Sequence, residues 1–391
     1  MVAALIVLTT ARVSWSQAPG PLLTPTGRWG VGSTSVEVVD ESRRLPTTTQ
    51  PRRLILNLWY PTTPPSTGAR APYVPWLARA GGALSEAQVA ALREVRTHAT
   101  GAAIARPPRA GFPLVLFAHG EQMGAALYSN LHEELASHGF VVAAVDHPGI
   151  ALVAAYADGS AVSYQERDKP QSTTQGYGSA LLRYQRARLD AQAADLRFVR
   201  SHIAQVTIRG QPLSAVIGSH VGSYGHSSGG LAATTLCQQE PVVDACANMD
   251  GRLDGAPLVS APEVRPPSRP FLYIRKPFRS LTAAELSEAQ LTETQAARAQ
   301  METTVRDRAL LARSGPPSFL AIVREASHES FSDEALLMSD GDLAEVGRMR
   351  ALRELLVDFF RSTLSAGSRS TLVQRTTPVL DLSVIARRPP R

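Results

Sequence analysis

The chain has 391 residues, 44% hydrophobic and 19% charged, enough apolar material for an ordinary globular core, which excludes a disordered chain. Its formal charge is +6, yet Lys169 and Lys276 are the only lysines, the arginines are scattered and aromatic residues make up 6%, so no basic and aromatic stripe exists for single-stranded nucleic acid. Cys237 and Cys246 are too few for a disulfide scaffold, no Cys/His spacing suits structural zinc, and no cofactor is expected.

In chain order, the apolar run 2–8 is far short of the roughly 18 residues of a membrane span. Followed by small and polar residues through Ser16, Gln17 and Ala18, it reads either as a secretory signal over 1–18 or as a frayed terminus without the usual preceding Lys or Arg. The first reading implies a secreted or periplasmic protein; a cytoplasmic one is the alternative. Residues 19–391 read as one domain. Val36, Val38 and Val39, then Leu54, Leu56 and Leu58, alternate as in a β-hairpin. Residues 61–112, rich in Pro, Gly and Ala with a helical patch at 86–95, read as a surface excursion near a site mouth.

Strand 114–118, helix 127–138 stopped by Gly139, and strand 140–145 make a strand-helix-strand unit and hence a parallel sheet. A polar loop over 158–178 leads into a crossover helix carrying Leu189, Leu196, Val199 and Ile203 in helical phase. Strand 220–224, helix 229–238 and strands 245–250, 271–274 and 319–323 continue the alternation, so the fold class is α/β, a doubly wound and mostly parallel sheet. Segment 281–314 exceeds a plain crossover and is expected to form a helical cap. In the final helix, Leu352, Leu355, Leu356, Phe359 and Phe360 form a stripe that belongs in the core. Cys237 and Cys246, buried beside the sheet, are expected to be free thiols, although export would permit a bridge.

Gly225-His226-Ser227-Ser228-Gly229 matches G-x-S-x-G between a strand and a helix, the context of a nucleophile elbow. A serine hydroxyl is a poor nucleophile at neutral pH and needs a base, and in such folds the histidine comes last in the chain. Of nine histidines only His328 follows Ser227, in a short loop after strand 319–323. A carboxylate must hold the imidazole's tautomer; Asp250, directly at the end of strand 245–249, is the first candidate, with Asp254 as fallback. Backbone N–H groups of Ser228 and, from the loop after strand 114–118, Glu121 are the expected oxyanion donors, with the Glu121 carboxylate turned away.

These residues resemble the platelet-activating factor acetylhydrolase family, the lipoprotein-associated phospholipase type of α/β-hydrolases. The resemblance rests on Gly30-Val31-Gly32, Leu58-Trp59-Tyr60-Pro61, the segments 113–120 and 135–147, Gly225 to Gly230, Asp250, and Ser327-His328-Glu329-Ser330-Phe331-Ser332-Asp333. It implies calcium-independent hydrolysis of short-chain acyl esters, such as the acetyl or short acyl group of phospholipids, through a Ser-His-Asp triad. The chain departs from the family in having Ser228, where a large apolar residue is usual, and Glu121-Gln122-Met123-Gly124 after Gly120; both touch the acyl and oxyanion pocket. The alternatives are a general carboxylesterase or polyester hydrolase and, from a different class, a non-catalytic binding protein on a hydrolase scaffold, against which the complete residue set argues. The expected partner is a small-molecule or lipid ester, with weak lipid-surface association assisted by Arg387, Arg388 and Arg391.

Overall fold

The structure, a computed structural model, describes residues 22–386 except 46–47, 65–67, 80–83, 167–168, 172–175, 254–265, 290, 340–341 and 366–371. The expected signal at 1–18, the fallback acid Asp254 and the arginine tail lie outside the described residues.

β1 (Gly30–Arg44) and β2 (Pro51–Thr62) pair antiparallel, as the alternating valines and leucines predict. Then come β3 (Arg70–Pro72), α1 (Glu86–Glu94), β4 (Arg96–Thr100), β5 (Phe112–Ala118), α2 (Ser129–Ser137), β6 (Val141–Asp146), α3 (Tyr177–His202), β7 (Ile217–His226) and α4 (Ser228–Gln239). β8 (Ala245–Met249), β9 (Phe271–Arg275), α5 (Ala283–Ala289), α6 (Glu293–Ala312), β10 (Ser318–Val323), α7 (Glu334–Met338), α8 (Leu343–Leu364), β11 (Arg375–Thr376) and β12 (Leu380–Ala386) follow as the remaining main elements. Among the described residues a sheet of 12 strands runs β11-β12-β10-β9-β8-β7-β5-β6-β2-β1-β4-β3, apart from two small two-stranded sheets. From β10 to β6 its neighbours are parallel, and antiparallel pairs border that block on both sides.

The parallel strands read as continuous apolar runs because both of their faces are covered. Along β5, Val115 and Phe117 pack against α2 and α8, while Leu114, Leu116 and Ala118 face the layer of α3 and α4, the two-residue period of a strand. Leu352, Leu355, Leu356, Phe359 and Phe360 are buried as predicted. Truncating either phenylalanine to alanine would cost about 3–5 kcal/mol by lost transfer energy and cavity formation.

Three expectations change. Residues 61–112 are not merely an excursion: they supply β3 and β4 to the sheet and bury Tyr73, Trp76, Leu92 and Val95 in the core. Segment 281–314 is not simply a cap, because α6 packs Leu310 and Leu311 into the core as the crossover from β9 to β10. The free-thiol expectation is overturned: Cys237 of α4 and Cys246 of β8 are joined by a disulfide, with their Cα atoms 6.2 Å apart. Burial as such does not reveal that α4 folds back over β8 and brings the two sulfur atoms together.

Candidate active site

The carboxyl ends of the parallel strands present the residues singled out in the sequence. β7 ends at His226, and Ser227 follows with φ 55° and ψ −122°, conformationally costly for a residue with a Cβ, before α4 begins at Ser228. The Ser227 N–H donates to Met249 O at 2.9 Å, tying the turn to β8. The flanking glycines are sterically required: a Cβ on Gly225 would lie 2.3 Å from Gly229 O, and one on Gly229 would lie 2.1 Å from Ala118 O. Those obstacles are backbone atoms and cannot move aside.

β8 delivers Asp250, also in a left-handed conformation at φ 51°, with its N–H donating to Ile274 O at 2.7 Å. The loop after β10 delivers His328, whose Nδ1 donates to Asp250 Oδ2 at 2.6 Å. That bond assigns the proton to Nδ1 and leaves the Nε2 lone pair free to accept. The other carboxylate oxygen of Asp250 accepts the Lys276 N–H at 3.1 Å, and Lys276 Nζ lies 3.8 Å from Oδ2. The His226 ring, next to Ser227 in the chain, packs 4.4 Å from the His328 ring. Among the described hydrogen bonds none joins the Ser227 hydroxyl to His328; in free enzymes this contact is commonly long and tightens around the reacting acyl group.

The third strand is β5, whose following loop passes over the elbow. A Cβ at Gly120 would stand 3.3 Å from both Ser227 Cβ and His226 Nδ1, so this position keeps the loop close to the serine. The Gly120 N–H donates to the Tyr128 hydroxyl and the Gln122 N–H to Ile150 O. The N–H groups of Glu121 and Ser228 have no acceptor among the described residues. The Glu121 carboxylate turns away, as expected, towards Arg188 Nε at 2.6 Å and the Tyr164 hydroxyl at 3.0 Å.

Sequence reasoning missed the scaffold behind this loop. Tyr128 joins Gly120 to His226 Nδ1, the latter at 2.8 Å. His119 Nδ1 donates to Gly120 O at 2.7 Å and its Nε2 accepts the His147 N–H; His147 Nδ1 in turn donates to Asp195 Oδ2 at 2.9 Å. Arg52 grips both oxygens of Asp195, at 2.6 and 2.7 Å, and holds that carboxylate ionised despite complete burial. Burial, with the neighbouring His147 adding to it, pushes His119 down to about 3, so this histidine is a neutral structural link. Burial likewise keeps His226 far below the ordinary histidine range, helped by His328 and Lys276. On the other side of the loop, Asp146 accepts the Ala125 N–H at 2.7 Å and an Asn57 amide hydrogen at 2.8 Å.

Beside the loop lies a cavity of about 500 Å³, walled by Pro148, Ile150, Arg183, Tyr184 and Arg188 among others. Among the described residues no group of three or more His, Cys, Asp or Glu side chains is arranged to hold a metal ion, and no helix is long and apolar enough to cross a membrane.

Residues 47–226, a little under half of the chain, match a family model described as platelet-activating factor acetylhydrolase, isoform II. The match ends one residue before Ser227. No curated protein matches the chain. Among solved structures, a ferulic acid esterase from Streptomyces cinnamoneus is similar, with 26% identity and a TM-score of 0.67 over 92% of this chain and 97% of that one.

Proposed function

We propose that this chain, a carboxylic ester hydrolase of the α/β-hydrolase fold whose residues 47–226 carry the platelet-activating factor acetylhydrolase pattern, works through an acyl-enzyme on Ser227. The observation that carries this reading is the 2.6 Å bond from His328 to Asp250 beside a serine at φ 55°. Ser227 Oγ attacks the ester carbonyl while His328 Nε2 accepts its proton, and the N–H groups of Ser228 and Glu121 receive the oxyanion. Collapse expels the alcohol, which takes the proton back from His328. Water then attacks the acyl-enzyme, giving its proton to His328, and the carboxylic acid leaves as Ser227 is restored. Asp250 stays ionised throughout and stabilises the imidazolium.

The substrates are short-chain acyl esters, among them the acetyl or short acyl group of a phospholipid, with the remote part of the ester in the cavity by Arg183 and Tyr184. Ser228 supports a second reading, a general carboxylesterase or polyester hydrolase, because a small residue there leaves room for a bulkier acyl group. Export from the cytoplasm is part of the proposal, supported by the Cys237–Cys246 disulfide, since such bonds persist in oxidising compartments.

The test is hydrolysis of p-nitrophenyl esters from acetate to dodecanoate with EDTA present, wild type beside Ser227→Ala, followed by acetylated phospholipid in vesicles. Activity highest on short chains and lowered by about 10⁴ or more in the variant is the expected result. Unchanged turnover in a folded Ser227→Ala protein would refute the mechanism, and equal rates on vesicles and soluble esters would favour the second reading.

A further inference from the structure

We infer that Arg188 is a positioning residue for the oxyanion hole: by pairing with Glu121 while bracing the loops at Gly149 and Gln165, it fixes where the Glu121 backbone amide points. The inference rests on the reading of that amide as an oxyanion donor.

A carboxylate at this position is a hazard, because a negative side chain facing the developing oxyanion would oppose the charge that the backbone amide is there to receive. Here the hazard is turned into an anchor. Arg188 Nε lies 2.6 Å from Glu121 Oε1; the N–H does not point along that line, so the contact is an ion pair rather than an aligned hydrogen bond. The rest of the guanidinium is committed to backbone, with Nη1 donating to Gln165 O at 3.1 Å and Nη2 to Gly149 O at 3.0 Å. Its planar face lies over two aromatic rings, Tyr164 at 5.0 Å and Tyr184 at 5.2 Å. The Tyr164 hydroxyl donates to the same Glu121 oxygen at 3.0 Å. One side chain of the long helix α3 thus holds the loops after β5 and β6 together.

A second observation shows why the loop needs such a hold. Gln122, directly after Glu121, has φ 62°, in the left-handed region that residues with a Cβ seldom adopt. Such a conformation persists only where the surroundings over-determine it. Gly120 is held through Tyr128 and Gln122 through Ile150, so on the side-chain side Glu121 depends on Arg188 and Tyr164. The fork geometry matters, because a lysine carries its donors on a single nitrogen and lacks the planar spread by which Arg188 reaches two backbone carbonyls and the Glu121 carboxylate at once.

The experiment compares Arg188→Met, Arg188→Lys and Glu121→Gln with wild type and Ser227→Ala, on a short-chain p-nitrophenyl ester and with an alkyl boronic acid that mimics the tetrahedral oxyanion. Arg188→Met is expected to lower kcat by roughly 10- to 100-fold, less than the loss of a whole oxyanion donor, with KM changed by less than about threefold. Affinity for the boronic acid should fall by the same factor as kcat, and Arg188→Lys should recover part of both. Should Arg188→Met not fold, Glu121→Gln, which keeps the backbone amide, is expected to give the same pattern. Wild-type kcat and boronic acid affinity in these variants, with only the melting temperature lowered, would overturn the inference, as would a loss expressed wholly in KM. Persistent turnover in Ser227→Ala would instead remove the acyl-enzyme reading beneath it, so the two failures are distinguishable.

Discussion

The Tyr128 hydroxyl and His226 Nδ1 lie 2.8 Å apart at a point closed to solvent, and the same hydroxyl accepts the Gly120 N–H at 3.2 Å. The oxygen accepts from glycine, and its contact with His226 Nδ1 gives that buried ring nitrogen a hydrogen-bond partner on the same atom. One phenol therefore ties the residue before the nucleophile to the loop that crosses over it.

Removing that hydroxyl leaves a buried ring nitrogen and a buried amide without partners. Tyr128→Phe should lower stability by about 1–3 kcal/mol and reduce kcat more than it alters KM. Thermal unfolding and steady-state kinetics on one preparation check both; an unchanged melting temperature would mean that the hydroxyl contributes nothing.

Asp250→Asn tests the acid at the end of β8. An amide presents a hydrogen to His328 or accepts only weakly, so the wrong imidazole tautomer becomes available and the rate should fall by about 10⁴ with the fold intact. A loss below tenfold would move the role to another carboxylate, and Asp254→Asn would be the next variant to assay.

Asp333 gives a pH prediction. It accepts from the Tyr73 hydroxyl and the Asn130 amide, with Glu133 and Glu334 nearby, and burial raises it from 3.8 to about 7. The folded chain thus keeps a proton that the unfolded chain releases, so this contribution to stability is fully present below pH 3.8 and is lost as pH rises through about 7. In Asp333→Asn the pH-linked loss should be absent, and melting curves of variant and wild type should move relative to each other between pH 4 and 8, in favour of the variant at the alkaline end. Parallel curves over that range would show that Asp333 titrates normally.

The disulfide closes a short loop, with a sequence separation of 9 residues. On the chain-entropy account its removal costs about 3 kcal/mol. The paired Cys237→Ser and Cys246→Ser variant should melt at lower temperature yet hydrolyse short esters normally at 25 °C, because neither sulfur belongs to the site. Thiol titration of the unfolded wild-type protein should find no free thiol until a reductant is added.

The elbow is legible in the sequence because its backbone imposes its own requirements: small residues on both sides of Ser227 and a strand-to-helix break. His328 follows by elimination among nine histidines, and Asp250 from its position at a strand end. Both readings use only chain order and element boundaries. Tyr128, His119, His147, Asp195 and Arg188 act by reaching across elements that are distant in sequence, such as the 143 residues between Arg52 and Asp195, and no periodicity encodes where a side chain meets a remote partner. The same limit explains residues 61–112, whose Pro and Gly content suggests a loop although tertiary pairing makes part of it strand, and the cysteines, whose bond depends on how α4 lies over β8.

The contact of Gly225 and Gly229 with the carbonyl oxygens of Gly229 and Ala118 restricts how this protein can diversify. With neither glycine able to gain a single carbon, changes in substrate range are channelled to positions where a side chain can vary: Ser228, residues 121–124, and the wall formed by α3 and the segment after β6. A directed-evolution library gains by leaving the elbow untouched and placing its diversity there.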